Sequence, residues 1–142
     1  ILFEVCYTLF FLNNRKRRKN MPIKSVKTYE DCTTAGDDYV FDIRWGYGTG
    51  SIDTPYDLTG CTFRAQLRDV VVNNTIAATF ICVSPDPVDG LISCSLDSTQ
   101  TGSLVIKGAF KNYVYDVEVI DANGKVSTII VVNLKIRRGV TR

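Results

Sequence analysis

The chain has 142 residues, 45% hydrophobic and 23% charged, with a formal net charge of +2. That is the size and composition of a single globular domain able to bury its own core, and it excludes a largely disordered chain. The absence of histidine removes the commonest general base and the commonest neutral metal ligand, and it excludes Ser–His and Cys–His nucleophile pairs.

The first twenty residues differ from the rest. Ile1 to Leu12 is almost wholly apolar, broken by Glu4 and Thr8, and is followed by Arg15-Lys16-Arg17-Arg18-Lys19. An apolar run of about twelve is too short to span a bilayer, which takes about 20 residues. A secretory signal places its cations ahead of the apolar run, the reverse of this order. Three readings stand. Residues 1–20 are translated upstream sequence before a natural start at Met21-Pro22; or they are a docking arm that adds an apolar strand to a neighbouring subunit; or they bind membrane or nucleic acid through their cations. The last is the weakest, because five charges alone give only salt-sensitive binding. In the second reading Leu9, Phe10, Phe11, Arg17 and Arg18 are the candidate partner contacts. Without residues 1–20 the chain keeps 12 cationic and 14 acidic residues, a net of −2. The folded body therefore exerts no global pull on nucleic acid. The expected organisation is an arm or extension at 1–20, a leading segment at 21–37 and a β-domain at 38–142.

From Tyr39 the pattern is one of strands and turns. Tyr39, Phe41, Ile43 and Trp45 alternate with Val40, Asp42 and Arg44, the two-residue period of a half-buried strand. Trp45 closes this strand and is expected to cap the core. Gly46, Gly48, Gly50 and Pro55 mark a loop. After the turn Asp57-Leu58-Thr59-Gly60, Phe63, Ala65 and Leu67 face one way and Thr62, Arg64, Gln66 and Arg68 the other. Asn73-Asn74 is a turn signal, and it predicts a hairpin of Cys61–Asp69 with Thr75–Val83. The second run is apolar on both faces apart from Thr79, as in a central strand or one whose outer face meets a partner. Ser84-Pro85-Asp86-Pro87 ends it, because proline cannot donate to a ladder.

Asp89-Gly90 opens a short strand, Leu91 to Leu96, with Ile92, Cys94 and Leu96 on one face. Asp97 to Thr101 predicts one helical turn capped by Asp97 or Ser98, and Leu104 and Ile106 would tuck it under the sandwich edge. Tyr113 to Ile120 runs into Asp121-Ala122-Asn123-Gly124, a strong hairpin signal in which Asn-Gly supplies positive φ. The return strand, Lys125 to Ile136, sets Val126, Thr128, Ile130, Val132, Leu134 and Ile136 on one face. A short polar tail follows. The expected fold is all-β, an immunoglobulin-like antiparallel sandwich of six to eight strands with one short helical turn. Its core is expected to hold Phe41, Ile43, Trp45, Phe63, Leu67, Phe80, Tyr115, Val117, Val119, Ile130 and Val132.

Chemistry is hard to find. Asp116 and Glu118 are neighbours at i, i+2, but on the polar face of a strand, where Arg64 and Arg68 are expected to pair with them at modest energetic value. Asp121 and Asn123 lack the further ligands of a calcium loop. Gly46-x-Gly48-x-Gly50 has no helix after it and is no dinucleotide fingerprint. The five cysteines, Cys6, Cys32, Cys61, Cys82 and Cys94, form no CxxC pair and read as small buried hydrophobes. Tyr113 and Tyr115 would make a carbohydrate platform if exposed, and more often such residues are core. No catalytic residue, metal ligand or cofactor is expected.

Three stretches carry a family resemblance. Asp57-Leu58-Thr59-Gly60-Cys61-Thr62-Phe63-Arg64-Ala65-Gln66-Leu67-Arg68 resembles a segment common in small tailed-phage structural proteins. Gly90-Leu91-Ile92 with Leu96-Asp97-Ser98-Thr99-Gln100-Thr101 is similar to a second. Tyr113-Val114-Tyr115-Asp116-Val117-Glu118-Val119 with Asp121 and Gly124-Lys125-Val126 is similar to their hairpin, and Val140-Thr141-Arg142 to their ending. The N-terminal domain of phage upper baseplate proteins has a similar layout. The resemblance spans residues 38–142. It implies an immunoglobulin-like sandwich without catalytic residues, made in the host cytoplasm and built into the virion at tail, neck or capsid surface. The implied role is an adaptor, fibre- or baseplate-attachment or decoration module. Its partners would be other virion proteins and copies of itself, with no membrane. A carbohydrate- or receptor-binding sandwich is the alternative. Beside the arm, Ile81, Val83, Arg137 and Arg138 are the candidate partner contacts.

Overall fold

The computed structural model describes residues 2–7, 26–47, 54–70 and 75–140, and for 2–7 the backbone only. Within them the chain forms β1 (Leu2–Tyr7), β2 (Lys27–Thr34), β3 (Tyr39–Tyr47), β4 (Thr54–Pro55), β5 (Thr62–Asp69), β6 (Thr75–Thr79), β7 (Ile81–Val83), β8 (Leu91–Leu96), a one-turn helix α1 (Ser98–Gly102), β9 (Phe110–Ile120) and β10 (Val126–Arg137). Two sheets stack as a sandwich: β1-β3-β8-β7, with β4 also on β3, and β2-β10-β9-β5-β6. The segments β3-β8-β7 and β10-β9-β5-β6 reproduce the B-E-D and G-F-C-C′ strand orders of variable-type immunoglobulin sandwiches. The all-β sandwich is therefore as expected.

Two details differ from the expected layout. The described strands number ten rather than six to eight, and two of the pairings are parallel: β1 with β3 and β2 with β10. Both parallel strands come from the part of the chain before residue 38. Each lies along an edge, which a strand arriving over a long connection can reach in either direction.

The core follows from the two-residue period. Tyr39, Phe41, Ile43 and Trp45 point inward from β3 and meet Leu67, Tyr115, Val117 and Val132 from the facing sheet, all buried. Phe41, Phe80 and Tyr115 form its aromatic centre, with centroids 4.8–5.5 Å apart. Tyr113, at the start of β9, donates its hydroxyl to the Val105 carbonyl at 3.3 Å. This is the tyrosine-corner arrangement of immunoglobulin-like sandwiches.

The predicted hairpin of Cys61–Asp69 with Thr75–Val83 is half right. β6 pairs with β5, but at Phe80 the chain crosses to the other sheet, and β7 pairs with β8. Phe80 buries its ring between the sheets and gives its N–H to the Ala65 carbonyl at 3.0 Å. An apolar run with no turn residue conceals such a switch, because both halves keep the extended pattern. Asn73 and Asn74, where the turn was placed, lie outside the described residues.

The hairpin of β9 and β10 closes as predicted, with Gly124 at φ 80° and the Asp121 carboxylate accepting the N–H groups of Asn123 and Lys125 at 2.9 Å each. The alternation in β10 does not run through unbroken. A bulge between Thr128 and Ile130 lets Ile129 and Ile130 both turn inward and both be buried. Phe63, expected in the core, is only half-buried. It shares the inward face with Ala65 and Leu67 but sits near the β5 start, where the facing sheet covers it incompletely.

The helical turn forms with a capping box: Asp97 accepts from the Gln100 N–H at 2.7 Å and Gln100 accepts from the Asp97 N–H at 3.0 Å. Its one buried residue, Thr101, accepts the Gly36 N–H at 3.0 Å and donates to the Asp37 carbonyl at 2.7 Å, tying α1 to the β2–β3 turn. Leu104 and Ile106 pack against the core rim as predicted.

Candidate interaction surface

The polar face of the β9–β5 ladder holds the carboxylate pair singled out by sequence. The strand register sets Arg64 opposite Glu118 and Gln66 opposite Asp116. Arg64 forms a salt bridge to Glu118, its Nε donating at 2.7 Å, and Arg68 donates to Gln66 at 2.8 Å. Partial burial and the neighbouring Glu118 raise the Asp116 pKa above the usual carboxylate value, against the pull of Arg68 and Arg64. Arg64 thus pairs with Glu118 as expected, and Arg68 donates to the Gln66 side-chain amide oxygen. Both carboxylates project from the polar face of the β9–β5 ladder.

Other acidic groups are tied down in the same way. Asp89 pairs with Arg44 at 2.8 Å, and Asp69 with Lys111. Among the described residues no three His, Cys, Asp or Glu side chains converge to hold a metal ion. No helix among them is long and apolar enough to cross a membrane. Tyr113 and Tyr115 are buried, and Trp45 is buried with its ring stacked on Tyr56 at 4.3 Å. None of the three offers an exposed sugar platform.

Among the described residues, four of the eleven exposed large apolar side chains, Ile76, Ile81, Val83 and Val88, lie along one flank. β6 ends one sheet and β7 ends the other, and the direct crossing at Phe80 sets these two edges side by side. Ile76 is 51% exposed, Ile81 64% and Val83 55%. Val88, in the turn after β7, is exposed as well. Cys82 points inward between Ile81 and Val83 and is half-buried. Edge strands of natural sheets are usually blunted by shortness, lysine, proline or a bulge. β7 is short, at three residues, but carries no charge, proline or bulge.

No protein-family model matches the chain, and no curated protein matches it. Among solved structures it is similar to the "N-terminal domain of phage TP901-1 ORF48", with 8% sequence identity, 98% of each chain covered and a TM-score of 0.35.

The partner-contact candidates separate in space. Ile81 and Val83 lie on the β6–β7 flank. Arg137 and Arg138 are exposed at the end of β10, beside the opposite edge strand β2. Arg137 borders a shallow depression with Glu30, Cys32, Phe110 and Lys135. There the Lys135 ammonium sits 4.0 Å from the centroid of the exposed Phe110 ring. The Phe110–Lys135 pair was not foreseen because the strand was read from Tyr113, which left Phe110 out of it. Extended back three residues, the same parity puts Phe110 on the outer face. Leu9, Phe10, Phe11, Arg17 and Arg18 lie outside the described residues.

Proposed function

We propose that the chain is a non-enzymatic structural protein of a tailed-phage particle, an adaptor, attachment or decoration module that docks through the β6–β7 flank. The observation that carries this reading is the pair of adjacent sheet edges, unpaired among the described residues, that bear Ile76, Ile81 and Val83. The order of the DLTG, Gln100-Thr101 and Tyr113–Val119 motifs supports the phage context. The occupant is a strand of a neighbouring virion subunit, another virion protein or a copy of this chain. It pairs with the outward N–H and C=O groups of β7 while its side chains cover Ile81 and Val83. A stable contact of this kind buries on the order of 1,600 Å² in total, so the flank is the centre of a larger footprint.

Because Ile81 and Val83 are already partly covered, removing their remaining exposed surface from water stabilises docking by about 1–2 kcal/mol each, before the cost of association. The carbohydrate-binding alternative rested on an exposed Tyr/Trp cluster, and Tyr113, Tyr115 and Trp45 are spent on the core. Virions purified through salt and detergent washes and analysed by mass spectrometry test the proposal. The chain is expected in stoichiometric amount, and its absence from washed particles overturns the reading.

A further inference from the structure

The fold brings two of the cysteines together. Cys82 on β7 and Cys94 on β8 are direct partners in the antiparallel register. Both point into the sandwich: Cys94 is fully buried and Cys82 half-buried at the sheet edge. In the fold both thiols are free. Directly opposed residues of an antiparallel pair have Cα atoms about 4.5 or 5.5 Å apart, inside the roughly 4.4–6.8 Å range that a disulfide spans without backbone movement. Cys32 is on β2 at the far edge of the other sheet, and Cys61 precedes β5, so the register gives neither such a partner.

We propose that Cys82 and Cys94 close a cross-strand disulfide when the protein meets a small-molecule disulfide oxidant such as oxidised glutathione, fastening β7 to β8. Cys82 is the entry point, because it is at the edge and reachable. Its thiol is also the more acidic of the two: the neighbouring Cys94 favours the Cys82 thiolate, whereas Cys82 and burial push the Cys94 thiol up. The Cys82 thiolate attacks one sulfur of the oxidant and expels one glutathione thiolate. Cys94 then loses its proton and attacks the Cys82 sulfur, expelling the second. Two protein thiols are oxidised to one disulfide, one glutathione disulfide is reduced to two thiols, and no other reactant is needed. The bond would hold a three-residue edge strand in place whatever docks on it, so the inference stands apart from the phage reading.

The test uses the whole chain, treated in parallel with oxidised glutathione and with dithiothreitol. After unfolding, the reduced sample titrates five thiols, and the oxidised sample is expected to titrate two fewer. Peptide mapping without reduction is expected to join Cys82 to Cys94, and the oxidised protein to melt about 5–10 °C higher. Cys82→Ser, at the half-buried edge position, abolishes the shift without emptying the core, and Cys32→Ser and Cys61→Ser leave it intact. All five thiols surviving oxidation, a persistent glutathione adduct on Cys82, or a linkage between other cysteines would each overturn the proposal.

Discussion

The Tyr115 hydroxyl lies 2.8 Å from that of Tyr39, inside the core and across the gap between the sheets. Tyr39 donates its own proton to the Asp31 carboxylate, also at 2.8 Å, so Tyr115 is the donor to Tyr39. One line of hydrogen bonds therefore joins β9 to β3 and β3 to β2. The direction predicts unequal variants. Tyr39→Phe removes the acceptor of Tyr115 and the donor to Asp31 together, and is expected to cost about 1–3 kcal/mol. Tyr115→Phe leaves Tyr39 bonded to Asp31 and is expected to cost about 0.5–1.5 kcal/mol. Urea unfolding at neutral pH measures both, and equal losses would contradict this direction of donation.

The same pair sets an alkaline limit. Burial raises the pKa of both tyrosines well above the ordinary value of 10.0, and the Tyr115 hydroxyl is further disfavoured as an anion by Tyr39. In the unfolded chain both ionise near pH 10, while in the fold they keep their protons. The stability they contribute is thus complete below about pH 10 and is lost as pH rises beyond it. For Tyr115 the loss approaches about 1.4 kcal/mol per pH unit. Urea midpoints measured from pH 8 to 11 are expected to be flat and then to fall. The fall should be shallower in Tyr115→Phe.

What the sequence revealed and what it concealed divide along one physical line. Side-chain alternation reports which face of a strand is buried, and so Phe41, Leu67, Tyr115 and Val132 were legible as core. It does not report the strand's partner. Nothing in Thr75–Val83 marks Phe80 as the residue that crosses between sheets, and nothing local tells β2 that it lies parallel to β10. A bulge resets the alternation without a signature residue, which hid Ile129. The apolar outer face that made Ile81 and Val83 contact candidates was readable because it carries no charge, and both side chains are exposed. The neighbourhood of Cys82 and Cys94 was not, because it depends on that same sheet switch.

Two glycines with similar backbone angles should respond differently to a methyl group. Gly90 has φ +68°, and a Cβ there would collide with the Trp45 carbonyl oxygen and lie 3.1 Å from that of Tyr56. Gly124 has φ +80°, with nothing within 4 Å of such a Cβ. Gly124→Ala carries only the conformational penalty of about 1–2 kcal/mol. Gly90→Ala adds displacement of the backbone that links β3, β4 and the start of β8. It is expected to exceed Gly124→Ala by at least about 1–3 kcal/mol, the usual range for overpacking. Thermal melts of the two variants compare them directly, and indistinguishable midpoints would show that the β3–β8 junction yields freely.

Thr101 is the buried polar residue that fastens α1 to the sandwich, and it does so with one hydroxyl that both accepts and donates. Thr101→Val keeps the shape and removes both bonds, leaving the Gly36 N–H and the Asp37 carbonyl to seek other partners. A loss of about 1–3 kcal/mol is expected in urea unfolding. Thr101→Ser keeps the hydroxyl and should recover most of it. A valine variant as stable as the wild type would mean that water satisfies the β2–β3 turn.

The proposed docking flank makes the opposite prediction, a variant with no effect on the monomer. Ile81 and Val83 are more than half exposed on a strand whose inward residue is Cys82. Ile81→Lys and Val83→Lys therefore remove little buried area and are expected to change monomer stability by no more than about 0.5 kcal/mol. At an interface the same lysines introduce charge where an apolar contact is needed, and like charges on an edge are what natural sheets use to prevent pairing. Incorporation into particles, measured by complementation followed by mass spectrometry of washed virions, is expected to fall at least tenfold for the double variant. Arg137→Ala, on the opposite flank, should leave that measurement within a few-fold of wild type. If the lysine pair were incorporated normally while Arg137→Ala was excluded, the contact would belong to the β2–β10 side, where Phe110 and Lys135 already offer an exposed cation–aromatic pair.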